Sequence, residues 1–306
     1  MARHLLRRFL LTLPALWLVL TLVFLMIHIV PGDPVEQMLG EGAAPGAVAQ
    51  LRHALGLDLP LGVQYGHYLT GLVHGDLGQS FKFQAPVARI IFERYPATLQ
   101  LAFLALVVCA AIAIPAGVLA AHRRGHAADR LVGVFTLFGL AIPNFALGPL
   151  LILLFSIGIG ILPVSGRGGV GSYVLPAATL GAALAAILTR MVRGAMLEEL
   201  SADYIRTARA KGLGTAAVLF RHGLRNALIP IITILGLQFG TLLAGTIVTE
   251  TIFSWPGVGR LTVQAISARD YPLLQGCILV ISLSYVLVNL LTDVVYSLVD
   301  PRVRMS

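Results

Sequence analysis

Long apolar runs alternate with shorter polar or basic stretches along almost the whole chain. Phe9–Val30, Pro96–Ala121, Leu131 to about Phe155, Ser172 to about Thr189, about Ala227 to Thr249 and Leu273 to about Leu298 are the apolar runs. At 1.5 Å per residue, about 20 helical residues cross a ~30 Å hydrocarbon core. The pattern therefore predicts an all-α membrane protein with six transmembrane helices. Arg3, Arg7 and Arg8 precede the first run, which exceeds the ~7–15 apolar residues of a cleavable signal peptide and reads as a retained helix. Pro31-Gly32-Asp33-Pro34 stops it, because two prolines and a glycine cannot continue a helix.

The polar stretches divide the chain into an N-terminal tail and first helix (1–30), a long loop (31–95), a five-helix core (96–298) and a tail (299–306). Within the loop, Leu61, Tyr65, Tyr68, Leu69 and Leu72 recur at helical spacing and predict an amphipathic helix. His67 and His74 share a face of it, but without cysteine or paired carboxylate these histidines and His53 read as surface residues, and no metal site is expected. Gly158–Gly171 is a glycine-rich connection whose single charge is Arg167. Ser201–Pro230 is a basic hairpin: Ser201 or Asp203 is a candidate helix cap, Gly212 a left-handed stop, and Thr215 a cap for the next helix. Glu250–Tyr271 forms the last loop, with Trp255-Pro256-Gly257-Val258-Gly259 read as a rigid turn carrying an interfacial aromatic.

Within the runs, Pro143 and Asn144 place a bend beside a polar amide near the middle of the third span, and Gln238 is a polar residue in the fifth. Pro143, Asn144, Gln238 and Gly240 are the candidate pathway residues. Gly236, Gly240 and Ala244 recur every four residues and predict close approach of another helix.

Composition sharpens the class. Hydrophobic residues make up 57% and charged residues 12%, against roughly 25% charged in soluble domains. The net charge of +8 flanks the spans and reads as topology, so no nucleic-acid partner is expected. The N-terminal segment, the second-to-third connection, the basic hairpin with its flanks and the C-terminus hold 15 of the 22 lysines and arginines, which puts both termini in the cytoplasm and the loop after the first helix outside. Cys109 and Cys277 lie inside apolar runs and read as packing residues. There is no G-x-x-x-x-G-K-[ST], H-E-x-x-H or G-x-S-x-G, no chain of intramembrane proton carriers and no evident internal repeat. A channel or secondary transporter acting alone and an intramembrane enzyme are thereby disfavoured, leaving a pore subunit driven by a partner.

At the hairpin the chain resembles permease subunits of ATP-binding-cassette importers, in particular the peptide and nickel branch. The resemblance rests on Asp203-Tyr204-x-Arg206-Thr207-Ala208-Arg209-Ala210-Lys211-Gly212, then Arg221-His222, Arg225-Asn226-Ala227-Leu228 and Pro230. It extends to Pro31-Gly32-Asp33-Pro34, Leu55-Gly56-Leu57-Asp58, Gly75-Asp76-Leu77-Gly78 with Ser80, Arg94 with Pro96-Ala97-Thr98-Leu99, Trp255-Pro256-Gly257 with Gly259, Asp270-Tyr271-Pro272 and Asp300-Pro301-Arg302. Arg206 and Arg225 stand where the general importer motif has an acidic residue and a proline. The resemblance implies a type I importer fold with a cytoplasmic coupling segment over 194–226, in which Asp203 to Gly212 contact the ATPase, and a multi-pass location in a bacterial inner membrane. It implies as partners a second permease, two ATPase subunits, an extracytoplasmic binding protein and the lipid bilayer. ATP and Mg would sit on the ATPases, with no cofactor in this chain and no enzymatic activity of its own. Glu250, Trp255, Pro256 and Gly257 become candidates for an outer gate or binding-protein contact. Di- or oligopeptides are the expected substrates, closest to a first dipeptide permease, with glutathione or a nickel chelate as the alternative.

Overall fold

The computed structural model describes residues 2–29, 35, 45–54 and 56–299, so Pro31–Pro34 and Asp300–Arg302 lie outside the described residues. Helix α1 spans Ala2–Ile29, α2 Pro45–Ala54 and α3 Leu61–Val73. The amphipathic reading of α3 is met in its packing: Tyr65 and Tyr68 sit 5.1 and 5.6 Å from the Phe24 ring of α1, and the Tyr65 hydroxyl is 2.8 Å from Thr21 Oγ1.

The next helix, α4, runs from Val87 to His122 and thus starts nine residues before Pro96, the expected first residue of that span. Pro96 leaves the Phe92 carbonyl without its usual donor, yet the helix continues through it. The cause is tertiary: Val87, Ile90 and Ile91 are buried against Val258, Leu261 and Leu273, which fixes the two turns ahead of the proline. The third span departs further. Helix α5 covers Ala127–Ala141 and α6 covers Asn144–Leu151, continued by a π-helical segment Ile152–Gly158, and the two halves bend by 108°. The expected kink is a full break because Ile142, restricted by the following proline, is extended at ψ 116° and Pro143 is extended at ψ 142°. Pro143 then opens α6, its carbonyl accepting from Ala146 and Leu147.

Helix α7 spans Gly171–Ser201 and runs twelve residues past the expected end at Thr189. The short helix α8, Asp203–Ala210, follows directly. A π-helical segment Ala217–Leu224 leads without interruption into α9, Arg225–Gly245. The fifth run therefore ends four residues earlier than expected, and Ile247–Ile252 forms a separate short helix, α10. Helices α11, Val258–Ser267, and α12, Tyr271–Val299, complete the bundle.

Helices α4 and α7 form its spine. A Cβ on Gly181 would lie 2.6 Å from the Ala105 carbonyl, and one on Gly117 would lie 2.6 Å from the Val192 side chain. The expected glycine stripe on α9 packs on α12, where a Cβ on Gly236 would lie 2.5 Å from Thr292 and one on Gly240 would lie 3.2 Å from Asn289 Oδ1. Among the described residues, four helices are long and apolar enough to cross a membrane: Val87–His122, Gly171–Ser201, Ala217–Leu243 and Tyr271–Thr292. The bent pair would make a fifth, and Thr12–Leu25 is a shorter apolar stretch within α1. Phe103, Phe135 and Phe138 are exposed apolar side chains; Phe135 and Phe138 line a cavity between α4, α5 and α7, and Phe103 lines one between α4, α9 and α12.

Candidate functional site

Because α7 passes straight from the Trp255 region to α8, the two groups of candidate residues lie at opposite ends of the bundle.

At one end, α8 is held by two residues three apart. Ile205 and Ala208 are buried against Val218 of the following segment, with Leu200 of α7 packed beside them. The opposite face is exposed and carries Arg206, Thr207, Arg209, Ala210 and Lys211. Arg206 Nη1 lies 3.3 Å from Asp203 Oδ1, a solvated contact of small energy, and Arg209, Lys211, Arg221 and Arg225 have no carboxylate partner among the described residues. Gly212 closes the helix at φ +78°, the left-handed conformation that an L side chain resists. The caps differ from expectation. Ala202 occupies the N-cap of α8 without a side-chain bond, and the Ser201 hydroxyl donates back to the Glu198 carbonyl at 2.7 Å. Thr215 lies already inside the next helix, with the Gly214 carbonyl accepting from Val218. The Tyr204 hydroxyl bonds the Glu199 carboxylate and ties α8 to the last turn of α7; burial first, and that carboxylate second, push the phenol above its ordinary pKa. A second tie lies nearby: Arg193 of α7 donates to both oxygens of Asp129 on α5, at 2.7 and 2.9 Å.

At the other end, two fully buried carboxylates organise the polypeptide. Glu250 accepts from Thr98 Oγ1 at 2.8 Å and from the Arg260 backbone at 2.9 Å, while burial pushes its carboxyl above the ordinary carboxylate range. A Cβ on Gly257 would lie 2.3 Å from that carboxyl, and one on Gly259 would lie 2.7 Å from the Ile247 Cα. The glycines of Trp-Pro-Gly-Val-Gly thus make room for Glu250. Trp255 is fully buried, its Nε1 donating to the Ala97 carbonyl at 2.9 Å, so it is a core residue and not the interfacial aromatic expected from its setting. Asp270 accepts from Ser80 Oγ at 2.5 Å, the Lys82 backbone at 3.0 Å and the Leu273 backbone at 3.2 Å, capping α12 and fastening the 80–83 segment to it. Thr98, Asp270 and Ser80 were visible only as members of short motifs, and their partners lie 152 and 190 residues away.

Of the four pathway candidates, Gln238 and Gly240 of α9 meet different helices. Gln238 is buried, its Oε1 accepting from Cys109 Sγ of α4 at 3.5 Å, whereas Gly240 faces Tyr285 and Asn289 of α12. Pro143 sits at the break in the third span, and the side chain of Asn144 lies outside the described residues. Among the described residues no cluster of three or more His, Cys, Asp or Glu could hold a metal ion.

Comparison with known proteins places this helical bundle in a family. Residues 113–305 match the model of the binding-protein-dependent transport system inner membrane component, and residues 1–102 match that of the N-terminal part of such membrane components. The chain belongs to this family: it is a membrane-embedded permease of an ABC importer and not itself an enzyme. It is 44% identical over 99% of both chains to the glutathione transport system permease protein GsiC of Escherichia coli K12, and 43% identical, with the same coverage, to that of Salmonella typhimurium LT2. In fold it resembles a chain of the MetNI methionine ABC transporter in an inward-facing conformation, with TM-score 0.56 and 19% identity over 69% of this chain and 96% of that one. A chain of an amino acid ABC transporter solved with histidines gives TM-score 0.50 and 16% identity over 70% and 94%. The family implies ATPase and binding-protein partners and a membrane.

Proposed function

We propose that this chain forms half of the translocation pathway of an ATP-driven importer of small peptides, with glutathione as the first substrate to test. The observation that carries the substrate is the 44% identity, over 99% of both chains, to permeases named for glutathione transport. It moves glutathione ahead of the dipeptides favoured by the sequence motifs.

In this reading the membrane is crossed six times, by α1, the bent pair and the four long helices. An even number returns both termini to the cytoplasmic side, where the positive-inside tendency places 15 of the 22 lysines and arginines. Helix α8 is then cytoplasmic, and its open cations face a groove of the ATPase. Ile205, Ala208 and the Tyr204 bond make it one piece with α7 and with the segment leading into α9, so movement of the ATPase is conveyed into spanning helices. ATP and Mg act on the partner subunits, and differential grip by the ATPase on two permease states drives the exchange between them. The segments fastened by Glu250 and Asp270 form the outer face that receives the binding protein.

The test is uptake by proteoliposomes containing the complete complex with its binding protein. Labelled glutathione is expected to accumulate only with ATP, and to be competed by unlabelled glutathione and not by alanyl-alanine or nickel. Preferential uptake of a dipeptide would overturn the substrate, and flux through this chain alone without ATP would overturn the importer role.

A further inference from the structure

The single charge of the Gly158–Gly171 connection sits over a built platform. The Arg167 guanidinium lies 5.9 Å from the centroid of the Trp255 ring, within cation–π range. Trp255 in turn meets the Tyr173 ring edge-on at 4.8 Å. Arg167 Nε donates to the Tyr173 hydroxyl at 3.1 Å and Nη2 donates to Gln100 Oε1 at 2.5 Å. The backbone beside it is fixed by a bond from Gly166 N–H to the Phe253 carbonyl at 2.9 Å. Three parts of the chain therefore converge on one exposed guanidinium: the start of α7, the outer part of α4 and the turn after α10.

Both oxygens along the side-on edge of that guanidinium are neutral. Its positive charge has no carboxylate partner among the described residues, and the end-on fork, Nη1 with the second hydrogen of Nη2, is open. Two hydrogen bonds and the nearby aromatic ring restrain this guanidinium, and planar carboxylates fit an open arginine fork with two parallel hydrogen bonds. We infer that Arg167 receives the C-terminal carboxylate of the peptide as it enters the permease from the outer side. The inference rests on the peptide-importer reading. A small-molecule carboxylate is favoured because the guanidinium, although carried by a loop, is bonded to side chains of two helices of the bundle, α4 and α7. The carboxylate every free peptide carries would then be read by the permease itself.

The test compares wild type, Arg167→Gln and Arg167→Lys in the complete complex, with the binding protein saturated by glutathione or by its C-terminal amide, saturation being checked by calorimetry. Loss of hydrogen bonds to a charged group predicts that R167Q lowers glutathione uptake about tenfold. Amide uptake is expected to be unchanged, R167K to fall between, and the binding-protein concentration that half-maximally stimulates ATP hydrolysis to stay constant. Equal losses for acid and amide would overturn the inference in favour of a structural staple for the loop. A shift in that half-maximal concentration would assign the fork to an acidic side chain of the binding protein, and wild-type uptake by R167Q would also overturn it. If wild type imports another peptide and not glutathione, the substrate reading fails alone, and the same variants are compared on that peptide and its amide.

Discussion

Gly257→Ala is expected to destabilise the protein by about 3 kcal/mol or more, because overpacking and lost buried hydrogen bonds act together. The added Cβ would lie 2.3 Å from the Glu250 carboxyl, which cannot retreat without abandoning Thr98 and the Arg260 backbone. Nothing in the Gly257 dihedrals demands glycine; its φ of −102° is open to any residue, and the requirement is space alone. Cys109 and Cys277 are free and buried, so a thiol-reactive dye reports unfolding directly as temperature rises. Gly194→Ala, where an added Cβ meets nothing within 4 Å, is the control and should gain up to ~1 kcal/mol from helix propensity. A Gly257→Ala transition at the wild-type temperature would refute the packing role. The same carboxyl imposes a pH dependence. Folding raises its pKa, so the folded chain holds a proton that the unfolded chain has released, and stability falls as pH rises from the ordinary carboxylate range through the raised value. Glu250→Gln should flatten that slope.

Reversing charge at both Arg206 and Arg209 is expected to reduce uptake at least about tenfold, since like charges facing each other at an interface cost several kcal/mol. Both side chains are exposed, and the buried residues that hold α8 are Ile205 and Ala208, so insertion and assembly should persist. ATP hydrolysis by the complex would continue at its basal rate without responding to the loaded binding protein. Ile205→Ala leaves every cation in place and removes about 2–5 kcal/mol of buried anchoring from the helix. It should produce the same uncoupling, because a helix that slips on α7 conveys no movement. Substrate-stimulated hydrolysis and full uptake in the double reversal would remove α8 as the ATPase contact.

Much of this was legible from local chemistry. Apolar runs long enough to cross a bilayer reveal membrane helices because lipid offers the backbone no hydrogen bonds. Gly212 ends α8 and the small residues of α9 meet α12 for reasons visible in the sequence, namely a conformation that only glycine adopts cheaply and the absence of a side chain to hold helices apart. The basic hairpin, the amphipathic α3 and the family resemblance were readable in the same way.

What the sequence left open depended on partners distant along the chain. Pro96 looked like a helix start because a proline removes a backbone donor, but Ile90 and Ile91 packed on Val258, Leu261 and Leu273 outweigh that local loss. Pro143 looked like a kink, and two successive extended residues made it a break. Trp255 looked interfacial until its indole N–H found the Ala97 carbonyl in the core. Glu250, Asp270 and Arg167 carried no periodicity to mark them, and each acquires meaning only from groups on other helices. The presence of membrane-crossing helices and the stop at Gly212 were thus determined by the sequence itself, since they follow from the chemistry of a few neighbouring residues. The buried carboxylates and the open arginine fork were decided by the tertiary structure, because a charge is defined by what surrounds it.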